Sequence, residues 1–206
     1  MGRGLKISIG MGGCGLAVGA RDVYHLVLKE VEKRRVEASV IPVGCMGLCY
    51  MEPIVEIHRN GMPSAIYGRV RPESVGEILD AYLGGDVSEA FALRNRVGSA
   101  RGESEVPLLD EIDFFKHQVR WVTRNCGIVD SESIEDYIVY GGYRGLARAL
   151  ESRPKDVIEV IKKSGLRGRG KADFPTWLKW SICREAKGQQ PKYVVYNADK
   201  GARELS

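Results

Sequence analysis

Long apolar runs are missing from this sequence. Its apolar stretches are short, and the one at residues 36–43 is interrupted by Glu37 and Ser39. A helix that crosses a bilayer needs roughly 20 consecutive, mostly apolar residues, so we predict no membrane span. The first residues also lack the apolar region and small-residue cleavage site of a secretory signal. We therefore expect a cytoplasmic protein.

A strong charge of one sign is missing as well. The chain carries 31 Lys and Arg against 27 Asp and Glu, for a formal net charge of +4. Its basic residues alternate with acidic ones, and no stacking aromatic residues are interleaved among them. Nucleic-acid-binding proteins instead concentrate basic residues on one face or segment. We do not expect a nucleic-acid partner.

Cysteine and histidine are scarce. Five cysteines form an odd set in a chain without an export signal, which favours reduced thiols or metal ligands over a disulfide framework. Cys126 and Cys183 have no second cysteine at ligand spacing, and we predict that both pack in the core. His25, His58 and His117 have no paired ligand nearby and are predicted to be surface or core residues.

Residues 5–84 have the pattern of one compact α/β unit. An Asn60-Gly61 pair between two apolar segments is typical of a hairpin turn. The predicted elements, in chain order, are a strand at 6–9, a glycine-rich turn at 10–15, a helix at 20–34, strands at 36–43, 54–58 and 65–70, and a helix at 72–83. This order predicts a thioredoxin-like α/β sandwich.

The rest of the chain is predicted to be a connector at residues 85–112, followed by the start of an α/β flavin-binding domain at 113–206. A basic, partly aromatic segment at 113–124 is expected to pack against other elements. The predicted elements after it are helical segments at 133–150, interrupted at Gly141-Gly142, an amphipathic helix at 154–164, a glycine-rich loop at 165–170, a helix at 176–186 and a strand at 193–196.

Three cysteines form a candidate metal site. Cys45 and Cys49 lie on a short loop directly after a predicted strand, and Cys14 lies in the earlier glycine-rich turn, where this fold would bring a facing loop close. Thiolates are the usual ligands of iron-sulfur clusters, but a 2Fe-2S cluster ordinarily takes four. The three cysteines are therefore either metal ligands or small buried residues, since free cysteine is among the most buried residue types.

The glycine-rich loop at 165–170 is a candidate phosphate site. Glycines between two helices let the backbone approach a phosphate, and the N-terminus of the following helix adds N–H donors. Arg167, Arg169 and Lys179 could supply positive charge. A turn without a ligand is the alternative, because a lone glycine-rich loop is a weak signal.

Residues 44–53 resemble the second half of the cluster motif in thioredoxin-like 2Fe-2S ferredoxins, and residues 10–20 resemble the first half. In that family the first half supplies two cysteines five positions apart. Here Gly10 and Gly15 stand at those positions, and Cys14 is shifted by one. The resemblance implies a 2Fe-2S cluster whose ligands include Cys14, Cys45 and Cys49, with a fourth ligand from elsewhere.

Residues 118–199 resemble the 51-kilodalton-type flavoprotein subunit shared by respiratory NADH dehydrogenases and NAD(P)-reducing hydrogenases. The segments that carry the resemblance, in the family's order, are 124–128, 133–137, 141–143, 165–170, 174–176, 178–180 and 197–199. The resemblance implies binding of FMN and NADH. The matching positions are Gly168, Arg169, Gly170, Lys179, Asn197 and Asp199.

By this resemblance, the chain is an electron-transfer subunit of an NADH-oxidising or NAD(P)-reducing complex, with other subunits of that complex as partners. Hydride would pass from NADH to the flavin, and single electrons from the flavin to iron-sulfur centres. A ferredoxin-like domain fused in front of the flavoprotein domain is the arrangement found in the hydrogenase-linked members of the family.

Several positions depart from the flavoprotein pattern. Lys171 and Asp173 stand where the family loop has glycines, and Lys200 stands where it has a glutamate. The sequence ends at Ser206, before the rest of the flavin domain and the family's C-terminal 4Fe-4S domain. These departures favour a second hypothesis, a non-catalytic remnant that only binds partner subunits, and predict that the isolated chain is inactive.

Overall fold

The structure is a computed structural model that describes residues 4–62, 64–84, 96–98, 108–169, 173–188, 193 and 195. The chain divides into two compact units, residues 1–141 and 142–206. The predicted strand at 193–196 lies largely outside the described residues. The domain boundaries proposed from the sequence, after residues 84 and 112, stay a prediction.

The first unit is built on a five-stranded mixed sheet with the strand order β2-β1-β3-β4-β5. Its elements are β1 Leu5–Gly10, α1 Gly13–Ala17, α2 Ala20–Lys33, β2 Ala38–Val43, β3 Val55–Arg59, β4 Ala65–Tyr67, α3 Val75–Leu83, β5 Arg96–Gly98 and α4 Ile134–Val139. Strand β1 pairs in parallel with β2 and antiparallel with β3. Each following pair, β3 with β4 and β4 with β5, is antiparallel. The order of β1 to α3 confirms the predicted thioredoxin-like α/β arrangement.

The core of this unit lies between the sheet and helices α2 and α3. Helix α2 buries Val23 and Val27, four positions apart, on one face, and α3 buries Ile78 and Tyr82 in the same way. They pack with inward residues of the sheet such as Ile57. Burying one such aliphatic side chain contributes roughly 1.5–3 kcal/mol, so the spacing of apolar residues positions both helices on the sheet.

Two segments of this unit differ from the sequence prediction. Residues 10–15, predicted as a glycine-rich turn, contain the start of the short helix α1, which is separated from α2 by Gly19 at a φ of 93°. Strand β5 lies inside the predicted irregular connector. Three residues are too few to show the alternation by which a strand is recognised, so this strand could not be predicted.

The second unit contains three described helices: α5 Arg144–Leu150, α6 Pro154–Ser164 and α7 Thr176–Glu185. Helix α6 has Pro154 at its first position and ends at Gly165 with a φ of 68°, the usual termination of a helix. None of the described residues of this unit is fully buried. In the described part of the whole chain, no helix combines the length and the apolar character needed to cross a membrane.

Candidate metal centre

The three candidate cysteines lie at one edge of the sheet because of the parallel pairing of β1 and β2. Gly10 at the end of β1 pairs with Val43 at the end of β2, so the loops that follow the two strands begin at the same edge of the sheet. Cys14 lies in α1 after β1, and Cys45 lies on the loop after β2. A hydrogen bond of 2.8 Å from Met11 N–H to the carbonyl of Val43 joins the two loops.

The three sulfur atoms converge. The Sγ atoms of Cys14 and Cys45 are 3.4 Å apart, and those of Cys45 and Cys49 are 3.7 Å apart. All three lie within 4.8 Å of one another, and they form the group of metal-binding side chains found among the described residues. Two thiolates bound to one tetrahedral ion at 2.3 Å would be roughly 3.8 Å apart. The predicted ligand residues are therefore close enough to share a metal centre.

Two glycines make this convergence possible. A Cβ atom on Gly12 would lie 2.8 Å from the Cβ of Cys45, so a side chain there would push the two loops apart. Gly47, at a φ of 102°, turns the loop between Cys45 and Cys49. Its N–H donates a hydrogen bond of 3.3 Å to the Sγ of Cys45. Backbone donors of this kind stabilise thiolate sulfur in iron-sulfur sites.

The thiols differ in their ease of deprotonation. Interactions with the thiols of Cys49 and Cys45 lower the pKa of Cys14. Burial raises the pKa of Cys45 to about 12. The thiol of Cys14 is therefore easier to deprotonate than that of Cys45, and a bound metal ion would favour the thiolate form of Cys45.

A buried carboxylate, Glu52, adjoins the cysteine loops. Glu52 is only 6% exposed, and its Oε2 accepts a hydrogen bond of 2.9 Å from Ile54 N–H. Its Oε1 has no hydrogen-bond partner among the described residues. Burial raises the pKa of this carboxyl, while the N–H of Ile54 and the thiol of Cys45 oppose the rise. Sequence reasoning missed Glu52, although a glutamate three residues after Cys49 was the available signal.

The remaining cysteines and histidines of the described residues are not members of this group, although the Sγ of Cys126 would lie 3.9 Å from a Cβ on Gly44, the neighbour of Cys45. Cys126 is half-buried, but Cys183 is exposed, so the prediction that it packs in the core is wrong. Helix α7, which carries Cys183, has no buried residue for it to pack among. His25 and His117 are exposed, and His58 is hydrogen-bonded to the Oγ of Ser64 at 2.8 Å.

The candidate flavin loop lies in the second unit. Its two ends are joined by hydrogen bonds from Gly168 N–H to the carbonyl of Phe174, at 2.8 Å, and from Thr176 N–H to the carbonyl of Leu166, at 3.1 Å. Arg167 Nε is 3.0 Å from Asp173 Oδ2. Gly168 has a negative φ, and a Cβ there would make only an ordinary contact at 3.5 Å. The fold therefore does not itself require a glycine at this position.

The six predicted FMN and NADH positions are only partly described. Arg169 donates a hydrogen bond of 3.0 Å to the carbonyl of Arg167, and Lys179 is exposed on α7. Gly170, Asn197 and Asp199 lie outside the described residues, as do Lys171 and Lys200. The assignment of these positions to flavin and nucleotide stays a prediction.

Comparison with known proteins tests the resemblance. No protein-family model matches the chain. NADP-reducing hydrogenase subunit HndC of Solidesulfovibrio fructosivorans is 54% identical over 90 residues, which are 44% of this chain and 18% of that protein. A subunit of the NADH-quinone oxidoreductase of Rhizobium meliloti is 47% identical over 79 residues, 38% of this chain and 18% of that protein.

A longer alignment joins the chain to the NAD-reducing hydrogenase HoxS subunit alpha of Cupriavidus necator, 31% identical over 157 residues, 76% of this chain and 23% of that protein. Among solved structures, a thioredoxin-like [2Fe-2S] ferredoxin from Aquifex aeolicus has a TM-score of 0.39 and 21% identity, covering 49% of this chain and 96% of that chain. The chain spans about a fifth of the length of these enzyme subunits, 18% to 23%. The sequence matches confirm the resemblance drawn from the motifs: the chain is similar to subunits of NADH-quinone oxidoreductases and of NAD(P)-reducing hydrogenases.

Proposed function

We propose that this chain is an electron-transfer subunit of an NADH-oxidising or NAD(P)-reducing complex, and that Cys14, Cys45 and Cys49 bind an iron-sulfur centre in it. The observation that carries the proposal is the convergence of the three sulfur atoms within 4.8 Å of one another. The names of the relatives, subunits of NADH-quinone oxidoreductases and hydrogenases, support the same role. Such a centre accepts and releases single electrons.

The residues present fit this group in part. Three thiols supply three of the four ligands that a 2Fe-2S cluster ordinarily takes. The N–H of Gly47 already donates to one of these sulfurs. The loops after β1 and β2 hold the thiols on two separate elements, as a centre that spans two chain segments requires.

FMN and NAD(H) are the further cofactors of this proposal, held by Gly168, Arg169, Gly170, Lys179, Asn197 and Asp199. Gly168 supports it, because neither its φ nor its neighbours require a glycine. A glycine that the fold does not require is consistent with close approach of a ligand phosphate to the backbone.

The partners proposed for the chain are other subunits of the redox complex. Apolar side chains on the surface of the first unit support this role: Trp121 is 76% exposed and Val122 is 97% exposed. Neighbouring exposed apolar residues of this size are typical of surfaces that bind another protein.

A second candidate function is a non-catalytic subunit that only binds partners. Two contacts within the loop favour it: Asp173 forms an ion pair with Arg167, and the N–H of Gly168 donates a hydrogen bond to the carbonyl of Phe174. The guanidinium of Arg167 and the N–H of Gly168 would otherwise be available to a phosphate. In this alternative, the metal centre has a structural role or is absent from the working complex.

Anaerobic reconstitution of the purified chain with ferrous iron and sulfide tests the proposal. We expect about two iron and two sulfide per chain, with the visible charge-transfer absorption of a 2Fe-2S cluster. Cys45→Ser should lose most of the iron, because the central thiolate of the group is removed. Cys183→Ser is the matched control, since Cys183 is exposed and lies outside the group.

Wild-type protein that binds no iron would contradict the proposal. Equal iron in the Cys45→Ser and Cys183→Ser variants would contradict the assignment of ligands. Tight binding of a single zinc ion in place of iron would favour the structural alternative, because tetrahedral zinc sites accept thiolates at these spacings.

A further inference from the structure

Glu52 is the buried charged residue that the proposed thiolate set leaves unexplained. Its side chain is almost fully buried, yet only one of its two carboxylate oxygens has a hydrogen-bond partner among the described residues. Buried polar atoms are nearly always hydrogen-bonded, because an unpaired one loses its contact with water without replacement. The unpaired Oε1 is therefore available to a partner outside the described protein groups, such as a metal ion or a water molecule.

The position of the carboxylate indicates what that partner is. A Cβ atom on Gly10 would lie 2.7 Å from Oε2 and 2.9 Å from Oε1, and a Cβ atom on Gly15 would lie 3.1 Å from Oε2. The carboxylate therefore fills the space where side chains at these two positions would be. Gly15 directly follows Cys14 in α1, so the carboxylate reaches the loop that carries this thiol. The two glycines are also the positions that align with cysteines of the ferredoxin motif.

Glu52 is tied by sequence to the other cysteine loop as well. It lies three residues after Cys49, directly after the 3₁₀ turn Cys49–Met51. The hydrogen bond from Ile54 N–H fixes Oε2 and so fixes the direction of the whole carboxylate. The donor atoms of the cysteines and of Glu52 are thus held by the same two loops.

We propose that the Glu52 carboxylate is the fourth ligand of the centre, completing a set of three thiolates and one carboxylate. This inference rests on the proposed function. Carboxylate oxygen binds iron, although it is a harder ligand than thiolate. The carboxyl gives up its proton to solvent when it binds, as protein ligands of metals generally do.

Glu52 lies outside the tightest part of this donor set. The group of donors that lie within 4.8 Å of one another contains the three cysteines and not Glu52. One tetrahedral ion would need all four donors at such short mutual distances. A centre with more than one iron distributes its ligands over a longer span, so a carboxylate outside the thiol group can still be a ligand of such a centre.

Hydration is the competing explanation for the unpaired oxygen. A small cavity of about 10 Å³ borders Glu52, between Gly10, Val43 and Ile54. That volume is at the lower limit for one water molecule, which needs roughly 10–15 Å³ and two to four polar partners. If the carboxyl binds only water, replacing Glu52 should not change iron binding. If the carboxyl is a ligand, its replacement should reduce iron binding, and the two outcomes can be told apart by measurement.

The experiment compares wild-type protein with Glu52→Gln after anaerobic reconstitution with ferrous iron and sulfide. Glutamine keeps the size of the side chain but carries no negative charge. We expect Glu52→Gln to lose at least about half of the iron bound by the wild type, because one of four ligands is removed. The iron that remains should give a changed EPR spectrum after reduction. Glu37→Gln, an exposed position in the same unit, should match the wild type in both readouts.

A second variant and a measurement of thermal unfolding distinguish the loss of a ligand from the loss of folding. Glu52→Asp keeps the carboxylate but shortens its reach, so it should retain more iron than Glu52→Gln and give a shifted EPR spectrum. The metal-free Glu52→Gln protein should unfold at the wild-type temperature or above, because an unpaired buried carboxylate is removed. Iron loss in a variant that melts normally is then a ligand effect.

The inference fails if Glu52→Gln binds as much iron as the wild type and gives the same EPR spectrum, because Glu52 is then only hydrated. It also fails if the wild type binds one iron and no sulfide. Wild-type protein that takes up no iron at all overturns the proposed function itself, which separates the two failures.

Discussion

The two units of the chain use apolar residues in opposite ways. In the first unit, side chains such as Ile57 and Tyr82 are completely buried between the sheet and its helices. In the described part of the second unit, no residue is fully buried, and Leu150 and Ile182 are 78% and 56% exposed. The comparison teaches that the first unit is stabilised by its own core, whereas the helices of the second unit gain little from burial within the chain. The candidate metal centre lies in the unit with the stronger core.

The largest expected effect tests this difference directly. Ile57→Ala should lower the free energy of unfolding by about 2–5 kcal/mol, because it leaves a cavity in the core. Ile182→Ala should change it by less than about 1 kcal/mol, as surface substitutions do. Urea unfolding monitored by circular dichroism measures both. Equal losses in the two variants would show that the second unit has a core of its own.

Alkaline pH should also act through the first unit. Burial raises the pKa of Tyr82 from its ordinary value of 10.0 to about 12. The folded state therefore keeps this proton where the unfolded state loses it, and stability is lost as the pH rises from 10 towards 12. The loss is as much as about 2.7 kcal/mol, because one pKa unit corresponds to about 1.36 kcal/mol.

Unfolding of Tyr82→Phe across the same pH range provides the control, since phenylalanine has no hydroxyl to ionise. The difference in stability between this variant and the wild type should grow in favour of the variant above pH 10. A difference that does not depend on pH would show that the hydroxyl of Tyr82 titrates normally.

Two glycine-to-alanine substitutions should have opposite signs. A Cβ on Gly15 would lie 2.4 Å from the carbonyl oxygen of Gly10, so Gly15→Ala should destabilise the first unit by about 1–3 kcal/mol. Gly145, in α5 of the second unit, has nothing within 4 Å of such an atom. Gly145→Ala should therefore stabilise its helix by up to about 1 kcal/mol. Thermal melts measure the change in melting temperature of each variant relative to the wild type. A stabilised Gly15→Ala protein would contradict the packing described at the cysteine site.

The smallest expected change in stability concerns the flavin loop. Asp173 has a φ of 42°, which favours glycine, but it also forms an exposed ion pair with Arg167. Because the two effects oppose each other, Asp173→Gly should change the stability by less than about 1 kcal/mol. It should nevertheless tighten FMN binding, since it removes a carboxylate beside the proposed phosphate site and frees Arg167.

Quenching of FMN fluorescence measures this effect. We expect substoichiometric or no FMN binding to the wild-type chain and stronger binding to Asp173→Gly. Arg167→Ala provides a control that removes the ion pair without adding a glycine. Equally weak binding by all three proteins would favour the non-catalytic alternative.

Much of the first unit could be predicted because its signals are local. Residues such as Val23 and Val27 repeat at helical spacing, and the Asn60-Gly61 pair lies at the turn between β3 and β4. The convergence of Cys14, Cys45 and Cys49 followed from the expected fold, since the loops after adjacent parallel strands begin at the same edge of the sheet. The proposed second-unit loop was recognised from the order of its motifs.

The features that could not be predicted depend on three-dimensional contacts. The proposed role of Glu52 rests on its burial and on the space left by Gly10 and Gly15, neither of which a sequence pattern reports. Cys183 was predicted to be buried from the average behaviour of its residue type, which does not apply on a helix without a core around it. Strand β5 depends on pairing with β4 and carries no periodic signal of its own.

The pairing of Gly10 with Val43 has a consequence for assembly of the molecule. A slip of one residue between β1 and β2 would move one loop by about 3.3 Å along the strand and turn alternate side chains to the other face. Cys14 and Cys45 would then no longer face each other across the short gap between their sulfurs. If these thiols bind iron as proposed, iron would bind only to chains whose first two strands are aligned correctly, and binding would stabilise the correct alignment over the slipped one.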